Sequence, residues 1–378
     1  MTDLDILGTE VDVVYSFFIF ISGLLIAIKS PTLLRFYSAR TAVALYFWHT
    51  LFCIVYCFYV VHNGGDAIMY YEKSISHDYD INIGTRFVIF FTSLFTNTVA
   101  SSFLGVSLVY NIFGFIGLIA IYSSIEPYII SNSYIKKMLV KALIFLPSIS
   151  YWTSGIGKDS LSFFIVGLLI WIFSNRKYNF FLIFFLLVFM FLIRPHIGVV
   201  LIVALFFHFS IVSKVKMHTR VFLFLIMILG SIVSFPLLLD FLKFDSVMSV
   251  DSVSNYIDKR QGYNLDSGSS IDISTMNPIF VLVSYMFRPF VWEARSFSQV
   301  VSAVDNLYLM CFFLANVYVL AKIKNIIIND MFYLCFFMIC LLMLSLTTSN
   351  LGIAVRQKWI FMPFIIYIYV KYSDGKRR

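Results

Sequence analysis

The chain has 378 residues, of which 60% are hydrophobic, 19% aromatic and only 13% charged. A water-soluble domain of this length carries about 25% charged residues, so there is too little polar surface here to cover a globule in water, and a bilayer must solvate most of it. The formal charge of +8 does not point to nucleic acid. Lys and Arg are scattered through short loops between apolar runs, with no basic stripe bearing exposed aromatics, and in a membrane protein such charges set orientation.

The chain begins MTDLDILGTEVD, which is acidic and lacks the basic n-region of a cleaved signal peptide, so the first apolar segment reads as a retained helix. Runs of membrane-spanning character then follow at about 13–29, 41–61, 104–122, 139–153, 160–175, 178–193, 196–212, 219–240, 304–321, 329–346 and 357–371. The pair 139–153 and 160–175 suits a broken or re-entrant arrangement. Residues 84–103 and 277–290 are apolar too, but fit better as helices lying on the membrane or dipping into it. The expected fold is therefore all-α, a polytopic transmembrane helical bundle of about eleven spans. It has a large outer (periplasmic) loop and one or two interfacial helices. No repeat, linker or low-complexity tract divides it, which predicts a single integral-membrane domain over 1–378.

Charge counting orients this bundle. The segments around Lys29, Arg40, Lys136, Arg176, Lys214, Lys322 and Lys371 share one side and hold 17 of the 28 basic residues, with only Glu126, Asp330 and Asp374 as acids. Short basic loops stay cytoplasmic. The N-terminus is then outside, the C-terminus inside, and the polar segments within 62–103 and 241–303 face outward. Cys53, Cys57, Cys311, Cys335 and Cys340 all sit inside apolar runs and read as small buried hydrophobes. The six histidines show no HExxH spacing and no carboxylate cluster has ligand spacing, so neither metal nor cofactor is expected.

The outward segments carry the chemistry-bearing residues. Asp66, in HNGGDAIMYYEKS, follows a glycine pair directly after a span. A carboxylate there can act as general base on a sugar hydroxyl, or can simply open the next helix. FLPSISYWTSGIGKDSL carries Lys158 and Asp159. The P-loop reading of this stretch fails, because position 152, where the first glycine belongs, is Trp152. A helix starting near Ser160 still offers backbone N–H groups to an anion, with Lys158 as a point charge. In FLIRPHIGVV, Arg194 lies between two apolar runs beside the helix-breaking Pro195. A charge at depth costs roughly 2.5–3.5 kcal/mol and usually faces a cavity, although snorkelling to the headgroups is the alternative.

Further on, YIDKRQGYNLDSGSS holds Arg260, and MFRPFVWEARS holds Arg288 and Glu293 around Pro289 and Trp292. Aromatic faces suit sugar rings and guanidinium grips phosphate bidentately. TTSNLGIAVRQKWIFMP places Asn350, Arg356 and Lys358 at the mouth of the last span. Lys158, Arg194, Arg260, Arg288 and Arg356 thus come from five segments of one predicted membrane face. Asp66, Asp159 and Glu293 are the carboxylates available as catalytic groups there.

In GGDAIMYY, LPSISYWTSGIGKDSL, IRPHIG, MFRPFVWEARS and NLGIAVRQKW the chain resembles bacterial O-antigen and exopolysaccharide polymerases of the Wzy type. It resembles, more distantly, membrane glycosyltransferases of the GT-C class. The resemblance implies an enzyme of the bacterial inner membrane that moves a growing glycan from an undecaprenyl-pyrophosphate carrier onto another lipid-linked repeat unit. The reaction would take place on the periplasmic face without a metal, with membrane lipid around it and room for a chain-length regulator as partner. The pyrophosphate-engaging arginines of the family would correspond to Arg194 and Arg260, with Arg288 and Arg356 as further candidates, and a GT-C base to Asp66. The chain lacks the family's often-described spacing of an arginine and a glycine in the outer loops. Two other readings stand beside this one: a GT-C-like transferase adding one sugar from a polyprenyl-phosphate donor, and a flippase or transporter of lipid-linked oligosaccharides.

Overall fold

The computed structural model describes residues 5–34, 38–98, 102–129, 134–175, 178–211, 270–273 and 276–373. Among the described residues the only regular secondary structure is helical, apart from one isolated bridge between Ser270 and Asn350. The chain forms two compact units, Met1–Arg194 and Pro195–Arg378.

The first unit contains α1 (Glu10–Leu34), α2 (Ala39–Asn63), α3 (Asp66–Ile75), α4 (Thr85–Thr96), α5 (Phe103–Ile125), α6 (Tyr134–Ile144), α7 (Pro147–Ser154), α8 (Lys158–Ser174) and α9 (Phe180–Ile193). Short polar side chains set where these apolar helices start. Thr9 and Asp12 bond reciprocally at the start of α1, Thr9 N to Asp12 Oδ2 at 2.8 Å and Asp12 N to Thr9 Oγ1 at 3.4 Å. That exchange satisfies two of the backbone donors a helix start leaves open. Ser38 accepts from Thr41 N, Ser102 from Gly105 N and Asn179 from Leu182 N in the same way.

Helices α1, α5 and α8 run in one direction, and α2 packs against α1 and α5. Leu104 N donates to Ile6 O at one end, while Ser123 Oγ and Trp171 Nε1 both donate to Leu34 O at the other. Helices α5 and α8 approach closely, and glycine makes it possible. A Cβ on Gly167 would lie 2.3 Å from Gly117 O, and one on Gly117 would lie 2.7 Å from Phe163 O. Where lipid tails are as apolar as the side chains, such close backbone approach is what holds two helices together. Gly167→Leu is therefore expected to lose at least the ~1–3 kcal/mol typical of overpacking, read as earlier thermal unfolding in detergent. Gly157→Ala, where the added atom meets nothing within 4 Å, should leave the melting unchanged.

Between α2, α5 and α7 lies a buried polar knot. His49 bonds Asn111 Oδ1 at 2.6 Å and Thr153 Oγ1 at 3.1 Å, and Asn111 Nδ2 donates to Thr50 Oγ1 at 2.9 Å. Buried polar groups of this kind need internal partners, and these have them.

The second unit contains α10 (Pro195–Ile211), α11 (Pro278–Phe287), α12 (Phe297–Ala315), α13 (Ile323–Thr347), α14 (Leu351–Gln357) and α15 (Met362–Tyr372). Helix α10 packs along α13. Near its start α13 kinks at Asp330, whose carboxylate receives Lys371 Nζ at 2.8 Å and Tyr372 OH at 2.7 Å from the end of α15.

Among the described residues four helical stretches, Glu10–Thr32, Ala39–Asn63, Phe103–Tyr128 and Asn329–Thr347, are long and apolar enough to cross a membrane. Two bent pairs raise the number to six if each is one span: Gln299–Ala315 with Val317–Ile327 at 54°, and Leu351–Ile360 with Met362–Tyr372 at 56°. The all-helical, membrane-type character agrees with the sequence, but the expected eleven spans are not reached among the described residues. Chain breaks account for part of the difference. Pro147 and the Gly155–Gly157 turn cut 139–175 into α6, α7 and α8, and the Arg194–Pro195 step leaves α9 and α10 with 14 and 17 residues. The expected interfacial segments are helical over Thr85–Thr96 and Pro278–Phe287. The run at 219–240 and most of the 241–276 loop lie outside the described residues.

Candidate functional site

In the first unit three helix ends meet where the sequence placed Lys158, Asp159 and Arg194. Lys158 and Asp159 are the first two residues of α8, so they sit at its electropositive N-terminus. Arg194 caps the end of α9, its N–H bonding Met190 O at 2.7 Å. The start of α4 joins them: Gly84 N donates to Leu192 O at 2.7 Å, and Thr85 Oγ1 receives Lys158 Nζ at 3.0 Å. Gly84 holds φ +77°, a backbone that L side chains rarely adopt.

The guanidinium of Arg194 is directed at Asp159, Nη2 to Oδ1 at 2.5 Å, with the two side chains only 6% and 13% exposed. Its Nε is buried and has no hydrogen-bond partner among the described residues. A guanidinium presents five N–H donors, and leaving one buried without an acceptor is costly. The arrangement therefore has an unfilled donor beside a helix N-terminus and a lysine, which is the chemistry of an anion site.

Asp66 is the first residue of α3 and is solvent-exposed, with Gly65 in the capping position before it. Its helix packs on α4, the helix whose first residue receives Lys158.

In the second unit Arg288 and Glu293 face one another, Arg288 Nε to Glu293 Oε2 at 3.0 Å and Nη2 to Oε1 at 2.7 Å. This is a two-bond fork, to which Phe290 N–H adds a third donor at 2.9 Å. Partial burial opposes ionisation of Glu293, but the Arg288 hydrogen bonds, the Phe290 N–H and the Arg288 charge outweigh it and hold the carboxyl below its ordinary value. A carboxyl shifted that way is a weak base, and the fork is fully formed at neutral pH, opening only as pH falls through the lowered value. Trp292 is 80% exposed and stacks on Phe290, as an interfacial aromatic would.

Arg356 lies half-buried in the last turn of α14, and Asn350 caps that helix through Gly352 N and Ile353 N. Arg260 lies outside the described residues. Lys158, Asp159 and Arg194 are thus brought together in one unit, and Arg288 with Glu293 in the other.

Sequence reasoning missed the partners of Lys358. This lysine is fully buried, donates to Asn306 Oδ1 and interacts electrostatically with the buried Asp305, while Asn306 Nδ2 donates to Pro289 O at 3.2 Å. Asp305 was the readable signal, an acid placed inside an otherwise apolar run. Among the described residues no three metal-ligating side chains gather. No family model, curated protein or solved structure matches this chain.

Proposed function

We propose that this chain is an integral-membrane glycosyltransferase of the polysaccharide-polymerase kind. It transfers a glycan from an undecaprenyl-pyrophosphate carrier onto a second lipid-linked repeat unit at the outer face of a bacterial inner membrane. The observation that carries the reading is Arg194, buried at a helix break with an unfilled Nε donor, next to Lys158 and the N-terminus of α8. Fixed cationic donors at a membrane-end helix junction suit the charge that builds on a departing pyrophosphate. Asp66, exposed on α3, takes the proton of the acceptor hydroxyl as that oxygen attacks the anomeric carbon and the bond to pyrophosphate breaks. A single displacement of this kind inverts the anomeric centre. Asp159 and Glu293, each held by an arginine, serve those arginines rather than the acceptor.

Cells lacking the chain are expected to display surface glycan of a single repeat unit in place of a ladder of lengths. An unchanged ladder contradicts the reading, and loss of one sugar from every chain makes the protein a single-sugar transferase instead.

One observation favours a second reading, an oligosaccharide transporter. Asp305 and Lys358 are both buried, and they belong to the two bent helix pairs of the second unit. Ionisable groups at broken helices are the signature of transport sites. Under that reading the unpolymerised repeat units accumulate on the inner leaflet.

A further inference from the structure

Asp159 occupies a place where a bound anion would be stable. It is the second residue of the 17-residue helix α8, its carboxylate faces Arg194 Nη2 at 2.5 Å, and Lys158 precedes it. Two roles are compatible with such a carboxylate, and they make opposite predictions. As a resident competitor it would neutralise the arginine and keep phosphate away. As a strut it would fix the guanidinium plane and decide which edge remains for a ligand. The geometry separates them. Asp159 takes one nitrogen, Nη2, rather than closing a two-bond fork of the kind Glu293 makes with Arg288. The buried Nε beside it is left without a partner among the described residues. A competitor that filled the site would satisfy that donor. A strut has to leave it open.

We infer that Asp159 is a positioning residue: it holds Arg194 by Nη2 so that the Nε edge is presented to the pyrophosphate of a lipid-linked substrate. This rests on the polymerase reading for the identity of the ligand. The formal charge of Lys158, Asp159 and Arg194 together is +1, and removing the carboxylate raises it to +2. Electrostatics alone therefore predicts tighter anion binding without Asp159, whereas loss of the strut predicts weaker binding, because the planar fork works only when aligned.

The test uses the full chain in nanodiscs of uncharged phosphatidylcholine, titrated with undecaprenyl pyrophosphate and, separately, undecaprenyl monophosphate. The wild type should prefer the pyrophosphate. Asp159→Ala should weaken pyrophosphate binding by about tenfold or more and flatten the preference over monophosphate. Asp159→Asn keeps an acceptor oxygen for Nη2 and should recover part of both. A merely structural role would lower the yield of folded protein and leave the preference intact, which overturns the proposal. So does equal or tighter pyrophosphate binding by Asp159→Ala and Asp159→Asn, which makes Asp159 a competitor while leaving the polymerase reading standing. If Asp159→Ala does not assemble, Asp159→Asn against Asp159→Glu decides: the longer side chain displaces the guanidinium and should bind worse than Asn. Absence of binding by the wild type removes the polymerase reading, and this inference with it.

Discussion

Lys358→Met is expected to destabilise the second unit by about 3–5 kcal/mol, the usual consequence of removing one member of a buried charge pair. Methionine is close to lysine in volume and at home in apolar surroundings, so packing changes little and the loss is electrostatic. The ammonium group is fully buried, donates to Asn306 Oδ1, and is attracted by Asp305, which is itself 1% exposed. Its removal strips the buried carboxylate of the ammonium beside it and leaves the amide oxygen without that donor. Trp359, whose ring lies 5.5 Å from Nζ, loses a cation–π contact as well. The double variant Asp305→Asn/Lys358→Met should regain most of the stability, since two neutral groups replace a buried carboxylate that has lost its ammonium. Thermal unfolding of the purified protein in detergent checks both. If the double variant melts as low as the single one, the pair is not what stabilises this unit.

Arg194→Ala is expected to reduce polymer formation by the equivalent of about 2–5 kcal/mol, roughly 30-fold and upward, the range for truncating one partner of a buried hydrogen-bonded charge pair. Alanine removes the unfilled Nε donor and also takes the guanidinium away from Asp159. Arg194→Lys restores charge without a planar fork and should rescue only in part. A residue that merely snorkelled to headgroups would accept lysine with almost no loss, because a long stem and a positive head are all that anchoring requires. Polymer yield normalised to membrane protein amount distinguishes the two. Full activity of Arg194→Lys would reduce this arginine to an anchor.

Residue type and local pattern made much of this legible in the sequence. Among the described residues the apolar runs fall on helices, and Pro195 marked the break at which Arg194 sits. The closeness of Lys158 and Asp159 to a helix start followed from the glycines before them. Glu293 is five residues from Arg288, near enough for the pair to be suspected. What the sequence could not give were partners far apart in the chain. Asp159 and Arg194 are separated by 35 residues, and Asn306 and Lys358 by 52. Their pairing depends on how helices pack, which hydropathy does not encode. The same holds for the α5–α8 approach, since Gly117 and Gly167 look alike to any apolar window. Fewer spans than expected are seen among the described residues for a related reason. Hydropathy adds up along the chain regardless of bends, whereas caps, proline and glycine decide whether an apolar run is one long helix or two short ones.

The most direct test is reconstitution. The purified chain in nanodiscs, supplied only with a synthetic undecaprenyl-pyrophosphate-linked repeat unit, is expected to yield a ladder of lipid-linked products one repeat apart, with release of undecaprenyl pyrophosphate. Asp66→Asn, which cannot take the acceptor's proton, should yield none while folding normally. If the folded wild-type chain leaves the repeat unit unchanged, this protein is not a polymerase.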